Sequence, residues 1–160
     1  MLRSLTDADA APLAAVLADP EITPWWGPYT EERVRGEMGD GDSYILAVEL
    51  EGALIGVVQV TEETDPDYPS AALDIAIHSD HHGRGLGREA LRVAIEHLIR
   101  ERGHHRFTID PAMENERAIR SYATLGFRPV GVMRRAERAP DGRWRDALLM
   151  DLLAEELQRD

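Results

Sequence analysis

Gly83, Gly85 and Gly87 stand at every second position where an apolar run, Leu73 to Ile77, gives way to a helical pattern. The chemistry such a place can do is anion binding. Three missing side chains let a phosphate approach the backbone, and positive φ values turn successive N–H groups into one concavity. The helix start just behind adds a partial positive charge. Alone, the pattern fits a phosphate or pyrophosphate cradle and also fits a tight turn with no ligand. Upstream, Asp74 interrupts the apolar stretch Ala71 to His78. An ionised carboxylate in mid-strand is costly to bury unless it is paired or near water, so it either meets a ligand or anchors a strand end. Trp25 and Trp26 are adjacent within Ile22–Tyr29, a segment broken by two prolines and a glycine. Neighbouring tryptophans cannot both face one core. Either one of them lines a pocket or interface, or the pair packs over the core edge. A polar loop, Glu62 to Ser70, adds four carboxylates at Glu62, Glu63, Asp65 and Asp67.

The charge balance narrows the partners. Thirty acidic residues against 18 basic ones give a formal net charge of -12, which argues against nucleic acid. A negative field speeds the arrival of a polycationic ligand, and it also simply keeps a protein soluble. With no cysteine there is no disulfide, no thiolate metal site and no cysteine nucleophile. No apolar run is long enough for a membrane span and no basic-then-apolar leader opens the chain, so a cytoplasmic protein that meets no membrane is expected. His78, His81 and His82, like His104 and His105, border turns; they read as solvated, and no metal site is expected.

The elements that must position these residues follow from periodicity. Leu2 to Leu5 reads as a first strand, and Thr6 to Asp9 as the cap of an alanine-rich helix through about Ala18. Ile22 to Tyr29 reads as a loop, Thr30 as the cap of a short helix through about Met38, and Gly39 to Asp42 as a turn. Tyr44 to Leu50 and Ala53 to Thr61 form a hairpin around Glu51-Gly52, followed by a strand from Ala71 to His78. Leu91, Ala94, Ile95 and Leu98 mark one face of a helix from Leu86 to Arg102. Arg106 to Asp110 is a strand stopped by Pro111, Glu114 to Leu125 a helix, and Phe127 to Ala139 with Arg143 to Leu153 a closing hairpin. The 160 residues suit one domain, 1–160. The order β-α-α-β-β-β-α-β-α-β-β predicts an α/β (α+β) fold, a mixed sheet with helices on both faces. It is not a doubly wound dinucleotide fold, because three successive strands precede the glycine turn.

A second motif completes the pattern. Asn115, Ala118, Tyr122, Gly126 and Phe127 stand in the spacing Asn-x-x-Ala-x-x-x-Tyr-x-x-x-Gly-Phe. That segment resembles one in the Gcn5-related N-acetyltransferases (GNAT), and Gly83-Arg84-Gly85-Leu86-Gly87 resembles their acetyl-CoA pyrophosphate loop. The resemblance spans Leu2 to about Leu153. It implies a mostly antiparallel sheet of about seven strands, acetyl-CoA as cosubstrate, no metal, and a monomer or homodimer. Carried over residue by residue, it implies a coenzyme site at Ile75, Ala76, Ile77, His82, Gly83, Arg84, Gly85, Leu86, Gly87, Asn115, Ala118 and Tyr122. His82 departs from the Gln or Arg usual at its position. Within the superfamily, Trp25-Trp26-Gly27, the Glu63-Thr64-Asp65-Pro66 loop, Leu73-Asp74 and Asp110-Pro111 most resemble aminoglycoside 6'-N-acetyltransferases. The acceptor implied is a small polycationic amine, held by Trp25, Trp26, Glu63, Asp65, Asp74 and Asp110.

A protonated amine cannot attack a thioester, so a carboxylate beside it must hold it and take its proton; Asp74 is the candidate. If the strand splays there, a freed amide near Ile75 or Ala76 can stabilise the oxyanion. Tyr122 stands where the family places a phenol that protonates the departing thiolate, with plain core packing as the alternative. Asp110 serves the amine or the turn before Pro111. Arg134, Arg135, Arg138, Arg143 and Arg145 read as a solvated face, or as partners for a coenzyme phosphate or a second subunit. A protein N-terminus or a metabolite amine is the alternative acceptor.

Overall fold

Residues 1–37 and 42–159 are described by the computed structural model. Seven strands form one sheet in the order β1-β2-β3-β4-β5-β7-β6. They are β1 (Leu2–Ser4), β2 (Ser43–Leu50), β3 (Ala53–Glu63), β4 (Ser70–Ile77), β5 (Arg106–Ile109), β6 (Arg128–Arg138) and β7 (Trp144–Leu153). Among the described residues, only the β4–β5 pairing is parallel. Helices α1 (Ala10–Leu17), α2 (Thr23–Trp26), α3 (Glu31–Glu37), α4 (Leu86–Arg102) and α5 (Glu116–Leu125) complete the order.

Both sheet faces are covered over β2 to β5, whereas the edge strand β6 is exposed along nearly its whole length. Leu13, Leu17 and Val34 of α1 and α3 pack with Ile45, Val57 and Ala76. Leu91, Ile95 and Leu98 of α4, with Leu125 of α5, pack on the other face against Val58, Leu73 and Phe107. Each buried side chain of this size contributes roughly 1.5–3 kcal/mol. That core is what holds α4, and the glycine turn ahead of it, in a fixed place beside β4. The β2–β3 hairpin turns on Glu51 (φ 52) and Gly52 (φ 83). Two positive φ values match the right-handed twist of the flanking strands.

Three expectations change. The tryptophan segment is not a plain loop: Trp25 and Trp26 N–H groups donate to the Ile22 carbonyl at 2.9 and 3.1 Å, closing the one-turn helix α2. Pro24 sits in its first turn, where a missing N–H costs nothing. Helix α5 starts at Glu116 rather than Glu114, because the Asn115 side chain caps it by accepting from the Ala118 N–H at 3.2 Å. The final hairpin is not regular, since its register shifts between Met133 and Glu137, where Arg135 has φ 49. The end of the third helix at Met38 and the turn Gly39 to Gly41 lie outside the described residues.

One irregularity makes room for a site. The parallel ladder between β4 and β5 consists of Ala71↔Phe107 and Ala72↔Thr108. Beyond it β4 continues to Ile77, paired with β3 alone, while β5 ends at Ile109 and Pro111 turns the chain away. The gap between the two strand ends opens between α4 and α5.

Candidate active site

The gap widens into a cleft of about 630 Å³ that runs from the glycine turn to the strand ends. At its turn end, Gly83 and Gly85 adopt φ 73 and 76, a region where a side chain is strained. A Cβ on Gly83 would meet nothing, and one on Gly85 nothing nearer than 3.9 Å. The glycines thus leave open space above the backbone at the start of α4, as an anion cradle requires.

β4 forms the floor. The His78 N–H donates to Ile55 on β3, and alternation along the strand sends the amides of Ala76 and Asp74 the same way. The backbone groups of Ile75 and Ile77 therefore face the gap. Their carbonyls are taken by side chains: Trp26 Nε1 donates to Ile75 O at 3.3 Å, and His82 Nε2 lies 2.6 Å from Ile77 O. Of the two amides expected at the splay, the one that faces the cleft belongs to Ile75; that of Ala76 belongs to the β3 ladder.

The other end of the cleft is acidic. Asp74, Asp110 and Glu137 line it, and they also line a smaller hollow of about 270 Å³ walled by Trp25, Trp26 and Tyr29. Water reaches Asp74 through the mouth, but protein crowds its other sides. That burial, then repulsion from Asp110 and Glu137, pushes its carboxyl up to about 7. Burial and Glu137 also push Asp110 up. A carboxylate poised near neutrality suits a general base. Tyr122 is 8% exposed, packs its ring 6.3 Å from that of Phe127 and lines the cleft. Burial, then Asp74 and Asp110, push its phenol well above the ordinary range. A phenol held protonated can donate.

The structure brings together most of the residues singled out in the sequence. Ile75, Ala76, Ile77, His82, Gly83, Gly85, Leu86, Gly87, Asn115, Ala118 and Tyr122 all line the cleft, as do Trp25, Trp26, Asp74 and Asp110. Arg84 is exposed and outside the lining, its Nη1 3.3 Å from Nδ1 of His81. Glu63 and Asp65 are not brought to the cleft: Glu63 ends β3 and Asp65 lies in the exposed loop beyond, where its amide donates to the Glu63 carboxylate at 2.9 Å. Glu62 is buried and turns to the other face of β3, 2.6 Å from His104 Nε2 and 3.1 Å from Arg102 Nε. His104 is therefore not solvated; it is 5% exposed.

Residues 1–128 match the family profile described as an acetyltransferase (GNAT) domain. The chain belongs to the GNAT acetyltransferase family. Aminoglycoside N(6')-acetyltransferase type 1 from Klebsiella pneumoniae is 30% identical over 164 residues, covering 88% of this chain and 78% of that one. Among solved structures, Mycobacterium smegmatis RimJ in complex with CoA-disulfide superposes with a TM-score of 0.87 at 27% identity, covering 99% of this chain and 84% of that one. Spermidine N-acetyltransferase from Vibrio cholerae, in complex with CoA and spermine, gives 0.84 at 22% identity, covering 98% and 96%; at that identity the likeness shows the fold.

For a GNAT chain, one site residue carries no mark in the sequence and another sits elsewhere than expected. Glu137 was hidden among arginines, and the bulge that turns it into the cleft has no sequence signal. Arg145 is not on a solvated face: it is buried, pairs with Glu137 at 2.7 Å, donates to the Pro24 carbonyl at 2.7 Å, and lies 5.1 Å from the Trp25 ring centre. Among the described residues no three metal-binding side chains converge.

Proposed function

We propose that this GNAT acetyltransferase uses acetyl-CoA to acetylate the 6'-amine of aminoglycosides, by direct attack within a ternary complex in the cytoplasm. The observation that carries the reading is the acidic end of the cleft, where Asp74, Asp110 and Glu137 meet an aromatic wall beside the splayed end of β4. A multiply charged sugar amine needs several fixed negative partners, and charge-assisted hydrogen bonds are the strong ones. The 30% identity to an aminoglycoside N(6')-acetyltransferase supports the same acceptor.

Acetyl-CoA supplies the thioester carbonyl carbon and a thiol leaving group. The turn at Gly83 and Gly85 offers open backbone for its pyrophosphate, with the positive end of α4 behind. Asp74 holds the acceptor's ammonium and takes its proton, freeing the nitrogen lone pair for the new N–C bond. The Ile75 amide faces the gap and is placed to polarise the carbonyl oxygen. Tyr122 gives its proton to the sulfur as the C–S bond breaks; the nitrogen, cationic once bonded to carbon, sheds its second proton to solvent as the amide forms, and the phenol regains one from solvent after release. Trp25 and Trp26 wall the acceptor in.

The second reading is a protein N-terminus or a small-metabolite amine, a polyamine included, bound at the same acidic hollow, whose carboxylates suit any cationic acceptor. Thiol release from acetyl-CoA, followed over a panel of aminoglycosides, polyamines and N-terminal peptides, separates the two. Aminoglycosides should give the highest kcat/KM. Preference for a peptide or linear polyamine would replace the acceptor.

A further inference from the structure

His82, in the turn between β4 and α4, is engaged through both ring nitrogens. Nε2 lies 2.6 Å from the Ile77 carbonyl oxygen, and Nδ1 lies 2.8 Å from Nη1 of Arg117 in the first turn of α5. A guanidinium can only donate. Nδ1 therefore accepts, and the ring proton sits on Nε2, where the Ile77 carbonyl takes it. Each contact enforces the other, because the bond made by one nitrogen selects the tautomer. The ring must be neutral to make both.

Three chain segments meet at this imidazole: the end of β4, the glycine turn and the start of α5. Ile77, His82, Gly83, Gly85 and Arg117 all line the cleft. Arg117 is exposed on its helix, so without a tether its long side chain would sample many rotamers. A neutral ring fixes it while taking up none of its charge.

We propose that His82 is a positioning residue whose neutral imidazole holds the Arg117 guanidinium at the mouth of the glycine turn, aligned for a phosphate of the coenzyme. This rests on acetyl-CoA occupying the cleft. The ordering of Arg117 is then completed on folding rather than on binding, which is the usual benefit of preorganisation. The role falls on coenzyme affinity and leaves the acetyl-transfer step alone.

Glutamine can copy both contacts, donating from its amide nitrogen to Ile77 and accepting from Arg117 at its amide oxygen; leucine copies neither. His82→Leu should raise the Kd for acetyl-CoA roughly three- to tenfold with kcat at saturation unchanged. His82→Gln should stay within about twofold of the parent. Combined with Arg117→Leu, which weakens binding by itself, His82→Leu should add little, because its effect runs through the same guanidinium. Nitrogen-15 spectra of the free protein should show a neutral His82 ring protonated at Nε2. A proton on Nδ1, equal losses in the Gln and Leu variants, or additive losses in the double variant would overturn the role. Failure of the parent to bind acetyl-CoA would overturn the functional reading and this role together, whereas normal parental binding with equal Gln and Leu losses overturns this role alone.

Discussion

Arg145 lies buried with its Nε 2.7 Å from a Glu137 carboxylate oxygen and its Nη1 donating to the Pro24 carbonyl. One guanidinium thereby fixes the third carboxylate of the cleft and the helix that carries both tryptophans. Glu137 in turn is one of the charges that raise Asp74 and Asp110. Glu137→Gln should remove that repulsion and shift the acid limb of kcat/KM to lower pH, by up to about one unit. A pH–rate profile with an unmoved limb would show that Glu137 does not act on the base.

The parent profile follows from Asp74 itself. Its carboxyl is held at about 7, and only the ionised form accepts a proton. Activity should therefore climb tenfold per pH unit below about 7 and level off above it. The same shift has a stability cost of opposite sense. Between about 4, where the unfolded carboxyl titrates, and 7, the folded chain holds the proton more tightly, so this group's contribution to stability falls as pH rises. Asp74→Asn should abolish the limb and lower kcat by roughly 10²–10⁴-fold, with the KM for acetyl-CoA little changed. A variant that keeps the parent's kcat removes Asp74 from the chemistry.

Tyr122→Phe retains the ring packed near Phe127 and loses only the phenolic proton. Its kcat should drop on the order of ten- to a hundredfold, with coenzyme affinity held, as expected for a lost general acid. Stopped-flow or steady-state thiol release measures this directly. Turnover equal to the parent would leave Tyr122 as packing, with solvent protonating the thiolate.

Gly85 has φ 76 with open space around it. Gly85→Val places a β-branched side chain in a strained backbone region and fills the cradle at once. The KM for acetyl-CoA should rise at least about tenfold, near 1.4 kcal/mol, in protein whose circular dichroism is unaltered. An unchanged KM in the folded variant would move the pyrophosphate elsewhere.

Much of this arrangement was legible in the sequence because local rules wrote it. The strand-to-helix glycine turn and the face of α4 follow from periodicity, α4 has the bounds its pattern predicts, and α5 ends before Gly126 as expected while its Asn115 cap sets a start two residues later than its pattern suggests. Two kinds of feature were hidden. The bulge that aims Glu137 inward is a register shift against β7, and register is decided by the partner strand rather than by local residue types. Burial of charge was the other. Glu62 and Arg145 read as surface residues until each is seen beside its partner, 40 and 8 positions away. Glu63 and Asp65 matched a loop of the expected kind, but β3 runs two residues past its expected end at Thr61, with Glu63 as its last residue.

Which amine receives the acetyl group decides the function, and a pair of substrates separates the possibilities. Thiol release and product mass should be measured with an aminoglycoside carrying a 6'-amine and with its analogue carrying a 6'-hydroxyl, the other amines being the same. The first should take a single acetyl group with rapid turnover and a kcat/KM that falls as salt rises, since the Debye length shrinks from about 10 Å at 0.1 M to about 3 Å at 1 M. The second compound should bind and remain unmodified. Equal acetylation of both would contradict the modified position, and acetylation of neither would contradict the aminoglycoside reading itself.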